Sequence, residues 1–196
     1  MTSPAEIDPE SRCRIPLPRR KDLDIDGQRT FDFYTSGTLR GLHGPGGIWL
    51  HSPRLAERYQ PLGVYLRFGG GLSEPVREVR VLATARECSN AFEWAAHEPE
   101  AVRVGVPPHI IQSIKFREPT ADMEAPYGIV VELIREAFTT RSVSAATYDA
   151  AVSLLGVPLL IDLISLAGMY ASTAALLTVF DMELDPGETH VLPSLE

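Results

Sequence analysis

Residues 73–99 read SEPVREVRVLATARECSNAFEWAAHEP. Ser73 is an N-cap residue, Pro75 falls in the one turn of a helix that tolerates proline, and Val79, Leu82 and Ala83 recur on one face. A second helix opens near Asn90 and closes at Gly105. The short connection around residues 88–90 favours antiparallel packing of the two. Nothing in the stretch alternates with the period of two that a half-buried strand requires.

The helical period continues on both sides. Ser52-Pro53 opens a helix carrying Leu55, Tyr59, Leu62 and Leu66, with a kink expected at Pro61 and a stop at the glycines 69–71. Pro107-Pro108 start a short helix with Ile110, Ile111 and Ile114. Residues 125–138 place Ile129, Val130, Leu133, Ile134, Ala137 and Phe138 on one stripe. Ser144 caps a helix with Tyr148, Ala151, Val152 and Leu155 that stops at Gly156, and Pro158 opens the last one. The expected fold class is all-α. A helical domain spans 27–185, beginning with a short helix over Gly27 to Thr35. Before it, residues 1–26 form an irregular arm punctuated by Pro4, Pro9, Pro16 and Pro18, and 186–196 form a C-terminal tail. Ser36 to Gly47 holds Gly37, Gly41, Gly44, Gly46 and Gly47 with Pro45, but neither GxxxxGK[ST] nor GxGxxG, so it reads as a flexible connection or lid.

Among 196 residues, 18 Lys and Arg face 26 Asp and Glu, a formal charge of −8. That balance excludes the broad basic face a general nucleic-acid binder needs. Two cysteines, Cys13 and Cys88, make no disulfide framework and fit a reducing compartment. Glu6, Asp8 and Glu10 interrupt any secretory leader, so the expected location is the cytoplasm. Leu163 to Phe180 (LISLAGMYASTAALLTVF) carries no formal charge over 18 residues, the length of a membrane span. Yet Ser165, Ser172, Thr173 and Thr178 interrupt it, and its flanks are Asp162, Asp181 and Glu183 rather than Lys or Arg anchors. It reads as a helix buried on nearly all sides, in a core or at a subunit interface, and not as a membrane span. Its small residues (Ala167, Gly168, Ala171, Ala174, Ala175) permit close helix approach, and a soluble homo-oligomer is expected.

The chemistry sits in the opening hairpin. Glu93 and His97 are i,i+4 and share a helix face. An antiparallel return brings Glu78 toward both. Two carboxylates and an imidazole in an apolar wall are suited to proton transfer near neutral pH. Pro99 removes the partner of the Ala95 carbonyl and is expected to kink the helix beside His97. Each residue also has a plain reading: Glu93 as the far half of a capping box with Asn90, Glu78 as a dipole-favoured acid, and His97 as a structural imidazole. Trp94 is a pocket wall or ordinary core. Arg77, Arg80 and Arg86 grip a substrate carboxylate or are merely solvated. A metal held by Glu78, Glu93 and His97 lacks a second histidine in register, and no metal is expected.

The spacing Glu78-(x14)-Glu93-(x3)-His97-(x7)-Gly105 resembles the carboxymuconolactone decarboxylase and alkylhydroperoxidase D superfamily. Leu50-His51-Ser52-Pro53, followed at 55–58 by Leu-Ala-Glu-Arg, is similar to it as well, and the resemblance covers roughly residues 27–185. In the peroxidase branch a Cys-x-x-Cys pair ends four residues before the histidine; here those positions are Asn90 and Glu93. The proton-relay Glu and His fall on Glu78 and His97, while the redox pair is missing and Cys88 is out of register by two. The resemblance therefore implies the decarboxylase branch. That branch is a cofactor-free lyase or isomerase acting on a small lactone or keto acid, such as a product of aromatic ring degradation. It further implies an alkylhydroperoxidase D-like helical bundle, commonly a homotrimer, with dimers and hexamers also found. His97 would be general acid/base, Glu78 its orienting partner, and Glu93 a carboxylate contacting substrate or His97. The alternatives are a non-catalytic helical binding or assembly protein and a peroxidase-related enzyme. Convergence of Glu78, Glu93 and His97 in an enclosed pocket separates the first reading from the second.

Overall fold

The computed structural model describes residues 6–36, 42–189 and 191–194, and every regular element among them is helical. In chain order these are α1 (Ile25–Thr35), α2 (Pro45–Trp49), α3 (Pro53–Val64), α4 (Glu74–Glu87), α5 (Ala91–Arg103), α6 (Pro108–Lys115), α7 (Tyr127–Arg135) and α8 (Ala145–Val179). Part of the glycine-rich segment, 37–41, lies outside the described residues. Its second half is not a loop, because Pro45 takes the first position of α2, where its missing N–H costs nothing. Gly44 before it holds φ +73, and a Cβ there would stand 2.7 Å from the Phe92 ring, so only glycine lets α2 lie against α5.

The centre of the molecule is α4. Every residue from Val76 to Arg86 is buried, under α5, α6, α7 and α8. Its Val79 and Leu82 join Trp94, Ile110, Ile114, Val130, Ile134 and Leu163 in the main core. A helix enclosed on all sides still carries Arg77, Glu78, Arg80 and Arg86, and these buried charges are what the fold has to accommodate.

In α8 the helix breaks at Gly156 (φ 70, ψ 162), a conformation essentially confined to glycine, with Pro158 restarting the next turn. Beyond the break, Leu160, Leu163, Leu166, Tyr170, Thr173 and Leu177 face the core. The opposite stripe, Val157, Ile161, Ser165, Gly168, Ser172, Ala175 and Val179, is exposed. Of the cover expected for this helix, from a core or a subunit interface, the single chain supplies the core side alone. By length and composition α8 could cross a membrane, as can the core helices of soluble proteins.

The described residues of both terminal segments pack against the helices. The N-terminal arm packs its buried Cys13 with Ile48 and Leu177. The Arg14 N–H donates to the Phe180 carbonyl at 2.8 Å, and the Arg12 guanidinium to the Leu184 carbonyl. In the tail, Leu192 is buried in the main core.

Candidate active site

The α4–α5 hairpin returns as expected, and Glu78 meets His97 across it. His97 Nδ1 lies 2.7 Å from Glu78 Oε2, with the Glu78 side chain fully enclosed. Burial works to raise the Glu78 pKa, but the hydrogen bond from His97, with a further contribution from Arg77 (Nε to Oε1, 3.3 Å), outweighs it. The carboxyl is held below the ordinary value and stays ionised. An ionised Glu78 accepts the Nδ1 proton and so fixes the tautomer, leaving Nε2 as the working nitrogen.

That nitrogen faces a cavity of about 160 Å³. Tyr170 of α8 directs its hydroxyl at Nε2 from 3.1 Å, with the two rings edge to face at 5.3 Å. Burial raises the Tyr170 pKa well above that of a free phenol, so the group remains a neutral O–H donor. Glu93 reaches Nε2 from the same helix as His97, Oε2 to Nε2 3.6 Å, and lines the cavity. Its backbone N–H donates to Asn90 Oδ1 at 3.0 Å, so Asn90 caps α5 while the Glu93 carboxylate faces the cavity. The remaining wall is largely aromatic and apolar: Tyr34, Trp49, Tyr59, Phe92, Leu166 and Met169. Among the described residues no group of three His, Cys, Asp or Glu side chains is arranged to hold a metal.

Of the predicted site residues, Glu78, Glu93 and His97 come together. Arg77 stays beside them but is taken up by Glu78, by Glu74 (3.5 Å) and by the Arg67 carbonyl (3.2 Å). Arg80 is fully buried behind Glu78 and Tyr170 and is not part of the cavity wall. None of its guanidinium nitrogens has a hydrogen-bond partner among the described residues, and burial pushes its pKa down to about 10. Arg86 is elsewhere, donating to the carbonyls of Lys115 (3.2 Å) and Pro193 (2.6 Å) at the far end of α4. Trp94 is core, fully buried beneath Lys115, whose Nζ sits 5.6 Å from the ring centroid. Cys88 is half-buried outside the cavity, and burial together with Glu87 raises its pKa, the opposite of what an attacking thiolate needs.

Sequence reasoning missed Tyr170, Tyr34 and Arg67. One signal for Tyr170 was available: it is the single phenol in the uncharged run 163–180. No family model matches the chain, and no curated protein matches it.

Proposed function

We propose that the protein is a cofactor-free acid–base lyase or isomerase, resembling carboxymuconolactone decarboxylase, that acts on a small lactone or keto acid. The observation that carries this is the His97 ring. One nitrogen is bound to a buried carboxylate, and the other is presented to a small, mostly apolar cavity. In such a site Nε2 takes a proton from the substrate carbon, and Glu78 stabilises the imidazolium that forms. The Tyr170 hydroxyl, kept neutral by burial, donates to the enolate oxygen as charge collects there. For isomerisation the imidazolium returns the proton to another carbon. For decarboxylation His97 first takes a proton from solvent; the C–C bond to the carboxylate then breaks, its electron pair passes into the adjacent carbonyl, CO₂ leaves, and the imidazolium gives that proton to the enolate carbon. Convergence of Glu78, Glu93 and His97 on one cavity favours this reading over a binding protein. The raised pKa of Cys88 argues against a thiol peroxidase. The exposed apolar stripe of α8 is consistent with a homo-oligomer, trimeric in the family the sequence resembles.

The test is a screen of cyclic keto acids and lactones for CO₂ release and for deuterium uptake from D₂O. On a substrate found this way, His97→Gln abolishes turnover with an unchanged circular dichroism spectrum. A folded, active His97→Gln protein overturns the assignment.

A further inference from the structure

We propose that Arg67 and Tyr34 form a carboxylate-binding subsite in this cavity, and that its ligand is a monoanion built on a single ring. The inference rests on the reading of the cavity as an active site only in setting that anion beside His97.

The polar groups of the wall divide into those already satisfied and those not. The Tyr59 hydroxyl donates to the Met169 carbonyl at 3.1 Å, and Thr173 donates to the same carbonyl at 2.9 Å. Tyr170 is engaged with His97. By contrast the Tyr34 hydroxyl, on a residue only 2% exposed, has no hydrogen-bond partner among the described residues. A phenol O–H so enclosed costs free energy until an acceptor reaches it. The Arg67 guanidinium makes no hydrogen bond or ion pair with any described residue and is held only over the Phe68 ring, 5.2 Å from its centroid. Both open donors line the same cavity.

Charge points the same way. Among the described residues, the carboxylates around Tyr170 and His97 are Glu78 and Glu93, with Glu100 beyond them paired to Arg103, whereas the guanidiniums are Arg67, Arg77 and Arg80. Glu74, the other partner of Arg77, is mostly exposed and solvated. Of the three, Arg77 is committed to Glu78 and Arg80 does not reach the cavity, so the anion falls to Arg67. Its planar fork matches a carboxylate in two parallel hydrogen bonds.

Size and lining set the rest of the ligand. A cavity of roughly 150 Å³ accommodates benzene, and this one measures about 160 Å³. One ring with a carboxylate and a small substituent fills it; an extended chain or a nucleotide does not enter. Trp49 and Tyr59, with centroids 4.8 Å apart, and Phe92 supply the flat apolar walls such a ring packs against.

Titration calorimetry on the full chain tests this without turnover, with benzoate as the anion and benzamide as its neutral counterpart. Benzoate is expected to bind about tenfold or more tighter than benzamide. Arg67→Met removes that preference while leaving benzamide binding unchanged, Arg67→Lys retains part of it, and Tyr34→Phe weakens benzoate by roughly threefold to tenfold. Equal binding of the two probes by the native protein overturns the proposal, as does an intact preference in Arg67→Met or no binding of either. His97→Gln separates the two readings. If it binds benzoate normally and is inactive, both stand. If it remains active while the Arg67-dependent preference persists, only the acid–base reading falls.

Discussion

The helix α4 carries the dipeptide Arg-Glu twice, at Arg77-Glu78 and at Arg86-Glu87, and the two ends put it to different uses. At the N-terminal end Glu78 meets an imidazole, and the imidazole meets a cavity. At the C-terminal end the Glu87 side chain is as well enclosed, but its partners are Arg117 (2.9 Å), Arg135 (3.7 Å) and the Thr139 hydroxyl (2.5 Å). There Arg86 closes off the last carbonyl of α6 and ties down the tail at Pro193. Both ends bury charge. The difference is a proton acceptor that opens on a cavity: among the described residues Glu87 meets guanidiniums and a hydroxyl, which lock it, whereas Glu78 holds a ring whose second nitrogen lies at the cavity beside the Tyr170 hydroxyl.

Separating the two glutamates gives the largest expected effect. Glu78→Gln should lower turnover on the order of 10²-fold or more, since the imidazolium loses its counter-charge. Glu87→Gln should leave turnover per folded molecule unchanged and cost about 3 kcal/mol of stability, because two partly buried guanidiniums lose their carboxylate. Steady-state kinetics beside urea denaturation read both, and a loss of activity in Glu87→Gln without loss of fold would dissolve the contrast.

The arginines sharpen it at a smaller scale. Replacing Arg86 with Met leaves the Lys115 and Pro193 carbonyls without their donor and should destabilise the protein by about 2 kcal/mol. Replacing Arg80, whose guanidinium has no hydrogen-bond partner among the described residues, with Met removes an enclosed charge and should raise stability by about 1 kcal/mol or more. Equal signs for the two in a thermal melt would contradict the assignment of their surroundings. The smallest effect belongs to the thiols. The double variant Cys13→Ser, Cys88→Ser should turn over substrate at the native rate, because neither sulfur lines the cavity; a folded but inactive double variant would reopen a thiol mechanism.

What the sequence made legible follows the range of the interactions. Glu93 and His97 share a helix face by spacing alone, and Glu78 follows once the hairpin is recognised from Asn90 and its short connection. The helix starts at Pro53, Ser73, Asn90 and Ser144 likewise depend on local chemistry. Arg86 was indistinguishable from Arg77 by residue type, yet nine residues of helix carry it about 14 Å along the axis, out of the site. Trp94 directly follows Glu93, and a helical step of 100° turns it from the cavity into the core. Tyr34, Arg67 and Tyr170 come from three elements far apart in the chain, and no periodic pattern links them. They meet only because α1, the turn after α3 and α8 close around the same space. How α8 is covered is hard to read for a related reason: an uncharged helix looks the same whether one face or all faces find cover within the chain.

The break at Gly156 has its own bearing on how this molecule breathes. A continuous helix of 35 residues would be a single cooperative unit. Interrupted at a residue whose backbone leaves the helical region altogether, α8 becomes two units, and the hydrogen-bonded ladder cannot pass a disturbance from one to the other. The segment before the break can fray and reclose on its own, at a free energy well short of global unfolding. The segment after it, which holds Tyr170 against His97, exchanges its amide protons only when the core itself opens.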